Sequence, residues 1–143
     1  MISSLLSTPS TRMLEQTIDF TEQRHMVLLE DIANASTPGF VQRDLSVAEF
    51  QKSLQQAVKR QRETLNGLYE PESTDDVTFE PGGSQVSTEA AEMPNSTPFH
   101  DRGVRSMEYL MSQMADNAMA HNMAAQMLKF QNDMLSRAIS MKV

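Results

Sequence analysis

Histidine, hydroxyl, carboxylate and thioether groups are the side chains of this sequence that could do chemistry, and their spacing arranges none of them as a reactive site. His25, His100 and His121 pair with no second histidine at metal-ligand spacing. Serine, histidine and aspartate occur without the nucleophile-elbow pattern that would expose an activated hydroxyl. Gly82-Gly83 is too short to cradle a phosphate and leads directly into no helix. Seven acids between positions 66 and 100 lack the alternating ligand order of a calcium loop. The chain is therefore expected not to be an enzyme, with no catalytic residue, no cofactor, no metal site and no small-molecule substrate.

Thioethers are the abundant group. There are twelve methionines and no cysteine in 143 residues, so disulfide and thiolate chemistry are excluded. Methionine fills irregular helix cores and also serves on adaptable binding surfaces. Without cysteine or clustered histidine beside them, these thioethers are read as packing groups rather than soft-metal ligands.

Charge narrows the partners. The formal net charge is −7, and residues 66–100 carry Glu70, Glu72, Asp75, Asp76, Glu80, Glu89 and Glu92 with no lysine or arginine. The rest of the chain nearly cancels, and no basic stripe is present to follow a phosphate backbone, so no nucleic-acid partner is expected. Residues 1–9 lack a basic region followed by an apolar run, so no cleaved secretory signal is expected there. The longest apolar run, residues 26–29, is far short of a membrane span.

The elements that would position these groups fall into three stretches. Residues 1–65 hold a first helix, a turn and a short second helix. In the first, from about residue 10 to 34, Leu14, Ile18, Thr21, His25, Leu28 and Ile32 recur at alternating spacings of 4 and 3, a heptad seam with two polar positions. Ser10 or Thr11 could cap it. Asn34 closes it, followed by Thr37-Pro38-Gly39, where Gly39 can take the positive φ of a type II turn. The second helix, about 46–64, sets Phe50, Leu54, Ala57 and Val58 on one narrow face. Residues 66–100 form an acidic stretch rich in Pro, Gly and Ser, expected to be a flexible loop because little apolar surface offsets its ordering entropy. Val77-Thr78-Phe79 and Gln85-Val86-Ser87 flank Pro81-Gly82-Gly83, a spacing that permits a small hairpin.

Residues 101–143 form the strongest periodic signal. Val104, Met107, Met111, Met114, Ala118, His121, Ala125, Leu128, Asn132, Leu135 and Ile139 alternate spacings of 3 and 4, giving a helix roughly 55–60 Å long. His121, like His25, is read as a polar seam residue. Met119, Met123, Met127, Phe130 and Met134 make a second apolar line beside the first. One antiparallel partner covers one stripe, so the second is expected to meet other chains. The predicted fold is all-α: long N- and C-terminal helices pairing as a coiled coil, a short middle helix and an irregular acidic loop.

One motif goes further. Ala33-Asn34-Ala35-Ser36-Thr37-Pro38-Gly39-Phe40 resembles the Ala-Asn-x-x-Thr-Pro-Gly-aromatic signature of bacterial flagellar rod and hook proteins. Arg43-Asp44-Leu45, leading into a short helix, is similar to the proximal rod protein (FlgB) family. The last helix, with Met111, Met114, Ala115, Asn117, Leu128 and Ala138-Ile139, is similar to that family's last helix, and the chain length also fits. The resemblance covers about the first 60 and last 40 residues. It implies a structural subunit of the flagellar basal-body rod, exported without a cleaved signal and assembled helically as a proximal drive shaft that transmits motor torque across the periplasm. The implied partners are copies of itself, other rod proteins, and membrane-ring and export-gate components. The alternative expectation is a soluble helical adaptor or chaperone that binds one partner through the Met-rich helix.

Overall fold

The structure, a computed structural model, describes residues 8–63, 69–80, 85–93 and 103–140. The elements are α1 (Pro9–Asn34), β1 (Arg43–Asp44), α2 (Val47–Glu63), β2 (Val77–Phe79), β3 (Val86–Thr88), β4 (Ala91–Glu92) and α3 (Gly103–Ser140). Residues 81–83, His100 and the side chain of Val104, all named above, lie outside the described set.

The fold is mostly helical, and the all-α expectation is corrected by two small antiparallel sheets. β2 pairs with β3 in the register Val77↔Thr88 and Phe79↔Val86. β1 pairs with β4, Arg43↔Glu92 and Asp44↔Ala91. The physical reason lies in the acidic stretch itself. Its charges face water, while Tyr69, Val77, Phe79 and Val86 are buried. Alternation along β2 puts Val77 and Phe79 on one face and Thr78 on the other. Few apolar residues suffice when these four reach one core.

That core lies between α1, α2 and the β2–β3 hairpin. It joins Phe20, Leu45, Phe50, Leu54, Ala57, Tyr69, Val77, Phe79 and Val86. The Phe20 and Phe50 rings stack with centroids 4.1 Å apart, and Phe79 lies 6.0 Å from Phe50. Polar side chains of α1 hold the hairpin in place. Asp19 accepts from the Val86 N–H at 2.6 Å. Gln23 donates to the Val86 carbonyl and accepts from the Thr88 hydroxyl. The buried Tyr69 hydroxyl donates to Gln16 at 2.9 Å, and burial raises its pKa to about 12.

α1 begins one turn-residue earlier than its periodicity suggests. Thr8 is the N-cap, accepting the Thr11 N–H, and Pro9 takes the first helical position, where its missing N–H costs nothing. At the other end the Phe40 N–H bonds the Thr37 carbonyl at 3.2 Å, with Pro38 and Gly39 between them. Gly39 has φ +80°, the value a type II turn requires. Asn34 supports the turn: its carbonyl accepts the Thr37 N–H at 2.8 Å, and its side-chain amide donates to the Glu30 carbonyl.

α3 packs along the opposite face of α1. Thr11 meets Gln131 and Arg24 meets Gln113, so the two helices run antiparallel.

Candidate interaction surface on the third helix

α3 is positioned by a seam that is more polar than its sequence suggests. Among its described side chains, Leu110, Asn117 and Ala124 are buried. Met107, Met114, His121, Leu128, Gln131 and Leu135 are half-buried. Together these positions alternate spacings of 3 and 4, and the second line sits one residue earlier than expected. Met107, Met114, His121, Leu128 and Leu135 belong to both lines. Met111 and Ile139, expected in the seam, are 51% and 63% exposed, and Ala118 and Ala125 only flank it, half-buried.

The cause of that shift is on α1. Thr11, Leu14, Thr21, Arg24 and Leu28 are buried there, while Ile18, His25 and Ile32 are half-buried. The Asn117 amide donates to the Thr21 carbonyl at 2.8 Å. His121 Nδ1 lies 3.0 Å from the Thr21 hydroxyl, which also reaches the Thr17 and Ile18 carbonyls. When the hydroxyl proton goes to either carbonyl, Nδ1 of His121 must carry a proton and donate. The Thr11 hydroxyl meets Gln131 Oε1 at 3.2 Å, and Arg24 donates to Gln113 at 2.6 Å. Placing Asn117 and Gln131 inward satisfies them; an inward Met111 or Ile139 would leave those polar groups of α1 without these bonds.

Arg24 extends the seam to the chain after the turn. Its guanidinium makes two bonds to Asp44, of 2.8 and 2.6 Å, with both side chains largely buried. Asp31 adds a second anchor by accepting the Arg43 N–H at 3.0 Å. Burial pushes the Asp31 pKa up to about 6, while that N–H bond opposes the shift. Arg24 was not singled out from sequence, and Asp44 only as part of the Arg43-Asp44-Leu45 resemblance, since their partnership spans the turn.

With the seam assigned, the surface left over is apolar. Met119, Met123, Met127, Phe130 and Met134 are all exposed, between 45% and 64%. No charged residue falls between positions 117 and 128, so water meets thioethers, alanines and amides over three turns of helix. Met26 and Leu29 of α1 are exposed as well. In the motif, Ala33, Thr37, Pro38 and Gly39 are exposed and Asn34 and Phe40 half-buried.

A groove of about 540 Å³ runs between α1 and α3, lined by Asp19, Thr21, Glu22, Gln23, His25, Met26, Asn117, Ala118, His121 and Asn122. Both described histidines lie on it. Thr21 is buried within a helix and bonded to backbone carbonyls, which leaves its hydroxyl unsuited to attack a substrate. Among the described residues no three His, Cys, Asp or Glu side chains gather as a metal site, and no helix is long and apolar enough to cross a membrane. No protein-family model matches the chain, and no curated protein matches it significantly.

Proposed function

We propose that this chain is a structural subunit of the bacterial flagellar basal-body rod, which assembles with copies of itself and other rod proteins at the proximal end. The observation that carries this reading is the uncharged, exposed thioether face of α3, which stays uncovered after the helix has packed on α1. An apolar surface of this length costs solvation free energy until something covers it. The Thr37-Pro38-Gly39 turn, whose residues carry the motif resemblance, is a second support.

In this reading α1 and α3 pair as a coiled coil in the assembled shaft, their seam fixes axial register, and the methionine face meets neighbouring subunits. Methionine suits such a face because its unbranched side chain adapts to several neighbours. The subunit works in the basal body, beside the membrane ring and export gate, as a load-bearing part without catalytic chemistry.

Electron microscopy of concentrated protein tests the proposal. Rings or helical polymers are expected from the wild-type chain, and none from Met123→Glu/Met127→Glu, because two carboxylates would have to be desolvated in the contact. A closed complex of fixed small size would instead favour a soluble helical adaptor that uses the same face for one partner.

A further inference from the structure

We propose that the face of α1 carrying Thr11, Thr21 and Arg24 also accepts α3 from a second copy of this chain, so that the long helix exchanges between subunits. This goes beyond the assembly reading, because the contact is the seam and not the methionine face.

Three observations carry it. First, the aromatic core joins α1, α2, the Leu45 segment, Tyr69 and the β2–β3 hairpin, and contains no residue of α3. Among the described residues, lifting α3 away leaves that core intact. Second, the groups that α3 would leave behind keep partners. Arg24 retains both bonds to Asp44, so no buried charge is stranded, and the Thr21 hydroxyl retains the Thr17 and Ile18 carbonyls. The usual penalty for opening a polar seam, an orphaned buried ion, is absent. Third, the register is written in side chains rather than in the connection between the helices. Thr11 with Gln131, Thr21 with His121 and Asn117, and Arg24 with Gln113 span about half the length of α1. A second copy presents the same four groups in the same order. The contact made between subunits is then the one made within a subunit, and the balance between them follows concentration.

The chain has no cysteine, so engineered thiols are unique reporters. Thr11→Cys and Gln131→Cys variants, each also carrying Met123→Glu/Met127→Glu to silence the other face, are mixed at high concentration and treated with a short bis-maleimide. The proposal expects a covalent heterodimer that increases with concentration and with incubation time. It should far exceed the product from Thr11→Cys mixed with Gln126→Cys, whose thiol is exposed. The double variant Thr11→Cys/Gln131→Cys, when dilute, should cross-link within itself. Isotope-filtered NOE spectra on a mixture of labelled and unlabelled Met123→Glu/Met127→Glu chains provide a readout without seam substitutions, and should show α1–α3 contacts between copies. Cross-linking no greater than the Gln126→Cys control, together with no intermolecular α1–α3 NOE, would overturn the exchange. Either result leaves polymerisation through the methionine face to be decided separately by microscopy of the wild-type chain.

Discussion

Gly39 has a φ of +80° and no heavy atom within contact distance of where a Cβ would stand, so a side chain there would cost backbone strain alone. Gly39→Val should lose about 1–2 kcal/mol of stability, the usual penalty for an L residue held in the left-handed region. Pro38→Ala should lose less, since alanine adopts proline's φ freely. Urea denaturation midpoints compare the two directly. Asp31 offers a second residue-scale test, through pH. Its folded pKa, about 6, lies above the ordinary value of 3.8. The stability it contributes is therefore fully present below pH 3.8 and is lost as pH rises through 6. Asp31→Asn keeps an acceptor for the Arg43 N–H but does not titrate. Relative to that variant, the wild type should be less stable at pH 7 than at pH 4, as measured by chemical denaturation at each pH. The turn could be read from sequence because Pro and Gly restrict backbone geometry locally. The Asp31 and Arg24 anchors could not, because their partners lie 12 and 20 residues away and no local pattern joins them.

At the scale of elements, the phase of the α3 seam decides between two readings that share half their positions. Leu110 is fully buried while Met111 is half-exposed. Leu110→Ala should cost about 2–5 kcal/mol, as for other buried leucines, and Met111→Ala should stay within about 0.5 kcal/mol. Thermal unfolding of both variants settles the phase. The existence and extent of α3 were legible because an uninterrupted 3–4 spacing over this length leaves little alternative to a helix. Its rotation was not, because hydropathy favours the line through Met111, Ala118, Ala125 and Ile139, whereas the bonds available from Thr11, Thr21 and Arg24 favour Leu110, Asn117, Ala124 and Gln131. The second line, Met119 to Met134, could be read as surplus apolar surface, and its side chains are exposed in the subunit.

For the molecule as a whole, the described part of the acidic middle stretch belongs to the folded body. Tyr69, Val77, Phe79 and Val86 are buried beside Phe20 and Phe50. Replacing residues 71–98 with a short Gly/Ser linker should therefore remove three core side chains and abolish cooperative unfolding by circular dichroism, even though closing the loop itself would cost little. A low apolar content favoured a flexible loop over the small hairpin that the spacing of Val77-Thr78-Phe79 and Gln85-Val86-Ser87 permits. The signal that could have corrected it was the two-residue alternation in Val77-Thr78-Phe79, which is meaningful only once a receiving surface is known.

The seam between α1 and α3 has a mechanical consequence. α3 is 38 residues long, about 57 Å, and its named side-chain bonds to α1 are spread from Gln113 to Gln131. A pull along the helix axis strains those bonds together, in shear. A sideways pull at one end strains them one after another, as in peeling. The two helices should therefore resist sliding far better than splaying. A single-molecule stretching experiment would see this as high rupture force when the handles are at opposite ends of the pair, and low force when both are at the same end.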